Sequence, residues 1–334
     1  MTDSKKIAIV DGTYYIFRAF FGIKQKLTNQ KGFPTNAIFA FKNMLALLLK
    51  EVQPQYVAVV FDSGKPSFRS EIFPEYKAHR EGIAPELVQQ IPLIIEMVRL
   101  LGFEPIIIDD FEADDVIATL AQQFSDQFDV WIISADKDLT QMVSEKVKMY
   151  DSMRGLLFSK EEVKKKFGVN PEQIADYLAL VGDASDNIPG AKGIGPVGAQ
   201  KLLSAYSNLE TLKLNLEKIP GKEGEKLRLS WAQVEMSKKL TQIQSQLPLK
   251  ISLKDLERKT PDLGTLKNFY QELNFRPDEF ITQMQQELFA QVSVPTIAQS
   301  GEKKKSYQRS IKTKSKTIQA TSLKIWSTVL PIFC

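Results

Sequence analysis

The chain has 334 residues, 43% of them hydrophobic, which is typical of a globular protein with one or two domains. It has 44 basic and 40 acidic residues, but residues 301–334 hold eight of the bases and one acid, so residues 1–300 carry a net charge of −3. One cysteine, Cys334, and one histidine, His79, exclude a disulfide framework and argue against Ser-His-Asp catalysis and cysteine-based zinc sites.

Residues 5–150 alternate strand-like apolar runs with helical patterns. The predicted strands are residues 7–10, 56–61, 105–108 and 130–133. The predicted helices are residues 37–52, 85–101 and 116–124, and in the first of them Phe39, Met44, Leu47 and Leu48 are expected on the buried side. Strands that alternate with helices indicate βαβ units and therefore a parallel sheet.

Beyond residue 150 the predicted elements are mainly helices. Ser159 followed by Glu162 predicts a capped helix that ends near Gly168, and Pro171 opens another that runs to Gly182. Residues 189–280 are expected to be mostly helical, with proline and glycine in the turns. The predicted fold class is α/β: a mostly parallel central sheet flanked by helices, followed by a helical C-terminal region.

Each predicted strand delivers acidic side chains at or just beyond its C-terminal end. These acids are Asp11, Asp62, Glu112, Asp114, Asp115, Asp136 and Asp138, and Asp183 and Asp186 follow in a later cluster. Because the carboxyl ends of parallel strands meet at one edge of a sheet, up to nine carboxylates would share a small volume. Like charges at such distances require cations between them, so the sequence predicts a site for two Mg²⁺ or Mn²⁺ ions. Any one of these acids alone is more simply explained as part of a turn or a helix cap.

The string Gly193-Ile194-Gly195-Pro196-Val197-Gly198 has the spacing of a dinucleotide-binding loop. We reject that interpretation because no strand is predicted directly before it. A hairpin between two helices fits better, since its glycines let the backbone approach a phosphate. Lys192 and Lys201 flank the hairpin with positive charge. A plain turn between helices is the alternative.

A third group combines cations with an aromatic ring: Arg69, Tyr76, Lys77 and Arg80. Phosphate pairing and base stacking by such residues are typical of a passage for a nucleic-acid strand. Pro74 argues against one continuous helix through this group, and a solvated charged surface is the alternative.

Together these motifs resemble the flap-endonuclease family, which includes the 5′-nuclease domain of bacterial DNA polymerase I. The matching strings are Ile-Val-Asp-Gly at 9–12, Val-Phe-Asp at 60–62, Phe-Arg-Ser-Glu and Tyr-Lys-Ala-His-Arg within 68–80, Glu-Ala-Asp-Asp at 112–115, Ser-Ala-Asp-Lys-Asp at 134–138, Val-Gly-Asp-Ala-Ser-Asp-Asn-Ile-Pro-Gly at 181–190 and Gly-Ile-Gly-Pro-Val-Gly-Ala at 193–199. The resemblance covers roughly residues 5–290, and all the acids of the family pattern are present.

The resemblance implies a metal-dependent 5′ nuclease that hydrolyses DNA phosphodiesters, as a 5′-3′ exonuclease and a 5′-flap endonuclease in primer removal and repair. It implies that the nine acids form a two-metal site and that Lys77, Arg80 and Asp115 serve catalysis. Lys77 and Arg80 would steer the scissile phosphate, and Tyr76 would stack near the reacting nucleotide. The implied DNA-binding residues are Arg69, Tyr76, Lys192, Gly193, Gly195, Gly198 and Lys201, with a K⁺ ion at the hairpin as a possible addition.

Three regions are expected along the chain. Residues 1–170 form the nuclease core, with a helical arch around 68–95; residues 171–290 form a helical DNA-binding region with the helix-hairpin-helix; and residues 291–334 form a disordered basic tail. The tail does not resemble a polymerase, and Lys303-Lys304-Lys305 could mark an A-run in the gene. We therefore hypothesise a frameshifted or truncated polymerase I; a stand-alone nuclease, with a polymerase in trans, is the alternative.

The expected partner is DNA with 5′ flaps, nicks, branches or RNA primer ends, bound by a monomer. No apolar run approaches the ~20 residues of a membrane span and the N-terminus lacks a signal core, so a cytoplasmic location without a membrane partner is expected. Three other functions remain open. They are a ribonuclease with a similar acidic site, a DNA-binding module whose nuclease has decayed, and an Asp-x-Asp phosphatase, for which Asp11-Gly12-Thr13 lacks the second acid.

Overall fold

A six-stranded sheet forms the centre of the protein, as described by a computed structural model for residues 5–80 and 82–275. The strands are β1 Lys6–Asp11, β2 Tyr56–Phe61, β3 Pro105–Ile107, β4 Asp129–Ile133, β5 Val147–Asp151 and β6 Leu156–Phe158. Their order is β3-β2-β1-β4-β5-β6, and only the β5–β6 pairing is antiparallel. The carboxyl ends of β1 to β5 therefore lie along one edge of the sheet.

The four predicted strands are confirmed as β1 to β4, and their parallel pairing is confirmed as well. Strands β1 and β2 are buried on both faces, which is why they are continuous apolar runs. Strands β5 and β6 were not predicted. In β5 the buried residues Val147 and Met149 alternate with the half-buried Lys148 and Tyr150, and β6 has only three residues.

Eleven α-helices are present in the described ranges, besides four short 3₁₀ helices. They are α1 Gly12–Gly22, α2 Asn36–Val52, α3 Phe68–Ile72, α4 Pro85–Leu100, α5 Ala113–Phe124, α6 Lys160–Phe167, α7 Ile174–Val181, α8 Pro196–Tyr206, α9 Leu209–Leu214, α10 Gly221–Thr241 and α11 Leu263–Glu272. All the helices predicted before residue 182 are confirmed within a few residues. None of these helices has both the length and the hydrophobicity that crossing a membrane requires.

The buried side of α2 differs in part from the expectation. Met44 and Leu48 are buried as predicted, whereas Leu47 is 48% exposed and that prediction is wrong. The buried face continues instead through Phe41 and Leu45, which share a helical spacing with Leu48. In a helix this rich in apolar residues, the pattern alone does not separate the buried face from the neighbouring exposed one.

The hydrophobic core runs from the sheet into the helical region without a break. Helix α5 packs against β1, β2 and β4, while α1 packs against α2 and β2. The same cluster of buried residues includes Leu202 of α8 and Leu227 and Val234 of α10. Since α10 also packs against α7, these helices have a fixed position relative to the sheet edge.

Residues 68–95 contain two helices separated by turns. Helix α3 ends at Ile72, turns occupy residues 74–79, and α4 begins at Pro85 and buries Leu87, Ile94 and Met97. Pro74 lies where the helix is interrupted, as its chemistry predicts. A second unit of the chain, Pro277–Cys334, lies outside the described residues. The tail predicted for 291–334 lies in this unit and stays a prediction, and the truncation of a polymerase stays a hypothesis.

Candidate functional site

The sheet places the predicted acids at its carboxyl edge. Asp11 is the last residue of β1, Asp62 follows β2 directly, Glu112 is the N-cap of α5, Asp114 and Asp115 form the first turn of α5, Asp136 and Asp138 follow β4, and Asp183 and Asp186 lie between α7 and α8. Four of the five segments thus follow parallel strands, and the fifth is the loop between α7 and α8.

Three of these carboxylates lie within reach of one ion. Oxygens of Asp138, Asp183 and Asp186 are all within 4.8 Å of one another. The Oδ1 atom of Asp138 is buried and has no hydrogen-bond partner in residues 5–80 and 82–275. A buried carboxylate oxygen without a partner is costly, and a hard divalent cation satisfies it. The residues present therefore fit a divalent metal.

The electrostatics of the acids lead to the same conclusion. Burial raises the pKa of four carboxyls, and neighbouring carboxylates raise it further. These four are Asp11, Asp114, Asp136 and Asp138. For Asp11 the pKa rises to about 7, mainly through burial and to a smaller degree through Asp62 and Asp136. A bound cation reverses this effect, because it favours the ionised form.

Local hydrogen bonds orient the acids at the ends of β1 and β2. Asp11 accepts from the backbone N–H of Tyr14 and from the hydroxyl of Ser134, both at 2.8 Å. Asp62 accepts from the backbone N–H of Ala113 at 2.8 Å. These contacts fix the carboxylates before any ligand binds.

Basic side chains form ion pairs with the carboxylates. The Nζ atom of Lys77 is 2.8 Å from Glu112, and Arg80 Nη2 is 2.6 Å from Asp186. Burial alone would raise the pKa of Glu112, but the charges of Lys77 and Arg69 outweigh burial and lower it. The predicted phosphate-steering residues Lys77 and Arg80 thus lie at the acid site.

A further cation, Lys137, was missed by the sequence interpretation. Its Nζ atom is 2.7 Å from Asp183 Oδ2. The signal was present, since Lys137 stands between Asp136 and Asp138 in the Ser-Ala-Asp-Lys-Asp string. Ser134 was missed in the same string, and its hydroxyl both donates to Asp11 and accepts from the N–H of Asp136.

Tyr76 lies inside the site rather than on its surface. Its side chain is 8% exposed, and its hydroxyl donates to Glu112 at 3.2 Å and to Asp186 at 3.4 Å. Burial, Glu112 and Asp186 raise the pKa of this tyrosine. Stacking of Tyr76 on a nucleotide stays a prediction, and it requires the ring to become accessible.

Arg69 and Asp115 pair with each other in the interior. The guanidinium donates to both oxygens of Asp115, at 2.7 and 2.8 Å, and the two residues are 2% and 0% exposed. A contact between Arg69 and DNA, or between Asp115 and a metal ion, therefore requires this pair to open. The roles predicted for both residues stay predictions.

The predicted hairpin lies at the start of α8. Gly193 has a φ of 78°, Gly195 is the N-cap of α8, and Lys192 and Lys201 are exposed. Lys226 of α10 also reaches the hairpin, because a Cβ atom at Gly193 would lie 2.8 Å from its Nζ. This lysine was not predicted, since its separation from the hairpin along the chain gives no signal.

The hairpin's third glycine, Gly198, is half-buried in the first turn of α8. A Cβ atom there would lie 3.2 Å from a carboxylate oxygen of Glu223 on α10. The glycine therefore permits a close approach of α8 to the first turn of α10.

Comparisons with known proteins agree with this arrangement. The N-terminal resolvase-like domain of 5′-3′ exonucleases matches residues 6–168, and the C-terminal SAM fold of 5′-3′ exonucleases matches residues 169–264. A 5′-3′ exonuclease of Aquifex aeolicus is 43% identical over 273 residues, which are 81% of this chain and 93% of that protein. DNA polymerase I of Bacillus subtilis is 39% identical over 263 residues, 77% of this chain but 30% of the polymerase. The chain thus spans about a third of the length of such polymerases.

Solved structures share the fold. A T5 5′-exonuclease with bound zinc has a TM-score of 0.63 at 20% identity, covering 86% of this chain and 99% of that one. The catalytic core of Rad2 in complex with DNA has a TM-score of 0.55 at 18% identity, covering 85% and 92%. With both family domains matched in order and a relative that is 43% identical over nearly its whole length, the chain belongs to the 5′-3′ exonuclease family.

Proposed function

We propose that this chain is a metal-dependent, structure-specific 5′ nuclease that hydrolyses DNA phosphodiesters at 5′ ends and 5′ flaps. The observation that carries the proposal is the cluster of Asp138, Asp183 and Asp186, with its unpaired buried oxygen, at the carboxyl edge of the sheet. Membership of the 5′-3′ exonuclease family supports the reaction, and the DNA complexes of structural neighbours support the substrate class.

The carboxylates would hold two Mg²⁺ ions, with Mn²⁺ as an effective substitute. Asp138, Asp183 and Asp186 form one candidate set of ligands. The remaining candidates, directly or through water, are Asp11, Asp62, Glu112, Asp114 and Asp136. When bound, the ions supply an activated water and neutralise charge on the phosphoryl oxygens.

The chain's own cations would bind and orient the scissile phosphate. Lys77, Arg80 and Lys137 all contact carboxylates of the site, so each is within reach of a phosphate bound between those carboxylates. Positive charge at that place stabilises the charge that develops on the phosphoryl group. No side-chain nucleophile is required, which suits a chain with one histidine and one cysteine.

The hairpin would hold the duplex next to the cut. Gly193, Gly195 and Gly198 allow the backbone to approach a phosphate, and Lys192 and Lys201 add positive charge. The proposal includes a K⁺ ion bound at this turn. It also includes that the protein acts as a monomer and removes primers alongside a polymerase in trans. In this scheme the acids at the sheet edge, together with Asp183 and Asp186, cut the DNA, and the hairpin with the helices that follow it holds the duplex.

A labelled 5′-flap duplex tests the proposal. We expect short 5′ products in Mg²⁺ and none in EDTA. Asp138→Asn should abolish cleavage because it removes a ligand oxygen, whereas Asp109→Asn, at an exposed acid paired with Lys65, should cleave as the unmodified chain does. Flap binding without cleavage in either Mg²⁺ or Mn²⁺ would refute the nuclease. Faster cleavage of single-stranded RNA than of the flap would favour the ribonuclease.

A further inference from the structure

The guanidinium of Arg69 connects three segments of the chain. It donates two hydrogen bonds to Asp115, in the first turn of α5. Its Nε donates to the carbonyl of Leu240 at 2.9 Å and its Nη2 to the carbonyl of Gln242 at 3.1 Å, at the C-terminal end of α10. Arg69 itself belongs to α3. One buried side chain thus joins α3, α5 and the end of α10.

Both carboxylate oxygens of the buried Asp115 accept hydrogen bonds from protein groups. Its Oδ1 accepts from Arg69 and from the backbone N–H of Gln244, the latter at 2.8 Å, and its Oδ2 accepts from Arg69 at 2.7 Å. Asp138 differs, because one of its buried oxygens has no partner in the described part of the chain. Neighbouring residues on a helix point about 100° apart. Asp114 accordingly interacts with Asp136 and Asp11, while Asp115 faces the end of α10.

We propose that Arg69 and Asp115 are positioning residues, which hold the first turn of α5 and its acids in register with the end of α10, rather than contacts to DNA or metal. The inference rests on the proposed nuclease function and assigns a different role to two residues of the predicted site. Glu112 and Asp114 directly precede Asp115 at the start of α5, so a fixed Asp115 also holds the turn that carries their carboxylates.

Helix α10 extends from the carbonyls that Arg69 contacts to the hairpin at the start of α8. That helix has 21 residues, or about 30 Å at 1.5 Å per residue. Lys226 near its start lies against Gly193, and Leu240 near its end packs with Tyr76 and Ile188 beside the acids. The Arg69–Asp115 pair thus joins α5 to the end of α10 that is distant from the hairpin.

Metal binding distinguishes a positioning residue from a ligand. We expect Asp115→Asn to bind as many Mn²⁺ ions as the unmodified chain, counted by calorimetry and by electron paramagnetic resonance, whereas Asp138→Asn binds one fewer. The double variant Arg69→Met/Asp115→Leu replaces the buried pair by apolar groups of similar size, which proteins often tolerate. It should also keep both ions, although a leucine cannot ligate a metal.

Kinetics provide the second measurement. Loss of an outer-shell partner typically costs 10- to 100-fold in activity, so for Arg69→Ala we expect kcat on the flap substrate to fall by about that factor. KM should change less than about twofold. Added guanidinium ion should restore part of kcat in Arg69→Ala and none in Asp138→Asn, which a general loss of packing would not produce.

Two results would overturn the inference: a Mn²⁺ ion lost in Asp115→Asn, or an Arg69→Ala variant whose flap binding weakens while kcat stays unchanged. If the double variant does not fold by circular dichroism, the Mn²⁺ count of Asp115→Asn decides. Cleavage by the unmodified chain is measured in parallel. Its failure would refute the nuclease proposal, whereas the Mn²⁺ counts judge the Arg69–Asp115 pair independently.

Discussion

The side chains of Lys77, Arg80 and Lys137 act as counter-ions within the acid site. Each forms an ion pair with a carboxylate that is also a candidate metal ligand. Such pairs offset the repulsion among carboxylates that are buried together. The same cations compete with a divalent ion for those carboxylates, so metal binding and release of the lysines and arginine are linked.

Lys137→Met tests this competition. Without metal, the variant should lose about 1 kcal/mol of unfolding free energy, since Asp183 keeps its hydrogen bonds from Ser185 but loses its cation, and the pair is partly solvated. With the competitor gone, Mn²⁺ should bind about fivefold more tightly. Urea unfolding in EDTA and calorimetry measure the two effects.

The control for that variant is Lys65→Met. Lys65 pairs with Asp109, and both side chains are more than half exposed, so neither stability nor Mn²⁺ affinity should change. Weaker Mn²⁺ binding in Lys137→Met would mean that the lysine supports metal binding rather than competing with it.

The raised pKa values predict a pH dependence of stability. The Asp11 carboxyl has a pKa of about 7 in the folded chain and 3.8 as the ordinary value, so between these values the folded state binds more protons than the unfolded state. Metal-free stability should therefore fall as pH rises from 5 to 7, by on the order of 2 kcal/mol from Asp11 alone. Thermal unfolding in EDTA at several pH values measures this.

Mg²⁺ should raise the melting temperature more at pH 8 than at pH 5, because it favours the ionised carboxyls. Asp11→Asn should flatten the pH profile of the metal-free protein. A metal-free melting temperature that increases between pH 5 and pH 7 would contradict the shift.

At the residue scale, strand ends were a sufficient signal for the acids but not for their partners. Asp11 and Asp62 follow apolar runs directly, so their place at the sheet edge could be predicted from the sequence. The pairing of Arg69 with Asp115 joins residues 46 positions apart through a buried contact that no local spacing reveals. The sequence therefore predicted a charged Arg69 at a DNA surface, where the structure buries it.

Among the elements, the loop between α7 and α8 depends on two glycines. Gly182 and Gly190 have φ values of 83° and 64°, and a Cβ atom at Gly190 would lie 2.4 Å from the backbone N of Gly182. The two backbones thus approach too closely for any side chain. This contact closes the loop that presents Asp183 and Asp186.

Gly190→Ala should therefore destabilise the protein by about 1–3 kcal/mol and weaken Mn²⁺ binding, because the positive φ and the close backbone approach both oppose a methyl group. Gly195→Ala is the matched control. Gly195 has an ordinary negative φ and open space around its Cβ position, so this variant should lose only about 0.5 kcal/mol, the cost of alanine at the N-cap of α8. Denaturant unfolding and calorimetry provide the measurements; equal stability of the two variants would contradict the role given to the Gly182–Gly190 contact.

The strands that were predicted best from the sequence are those that are buried on both faces. Strands β1 and β2 are buried on both faces and form unbroken apolar runs. Strand β5 alternates and ends in Asp151, while β6 exposes Leu156 and Leu157, so neither has a distinctive signal. Their strand form depends on tertiary contacts, because β5 pairs with β4 and β6 pairs with β5.

At the scale of the whole molecule, DNA affinity has to come from local charge. Residues 1–300 carry a net charge of −3, so attraction to phosphates depends on clusters such as the cations near the hairpin. The structure adds Lys226 of α10 to the lysines predicted there.

Salt titrations of flap binding in EDTA measure this local charge. The slope of log K against log salt should decrease in magnitude by about 1 in Lys192→Ala and in Lys201→Ala, because each variant neutralises one DNA phosphate fewer. Lys50→Ala is the control, because Lys50 is in the last turn of α2, which leads into the start of β2 at the opposite edge of the sheet. An equal decrease in the Lys50 variant would mean that binding follows overall charge.

The position of β1 has a consequence for how the protein is synthesised. Strand β1 is made first, yet it lies between β2 and β4, and Lys6 pairs with Asp129. At 5–20 residues per second, a ribosome leaves one edge of this apolar strand without its neighbour for roughly 6–25 seconds. An unpaired apolar edge is a template for aggregation. The geometry that gathers the acids therefore leaves an aggregation-prone edge on the nascent chain until β4 has emerged.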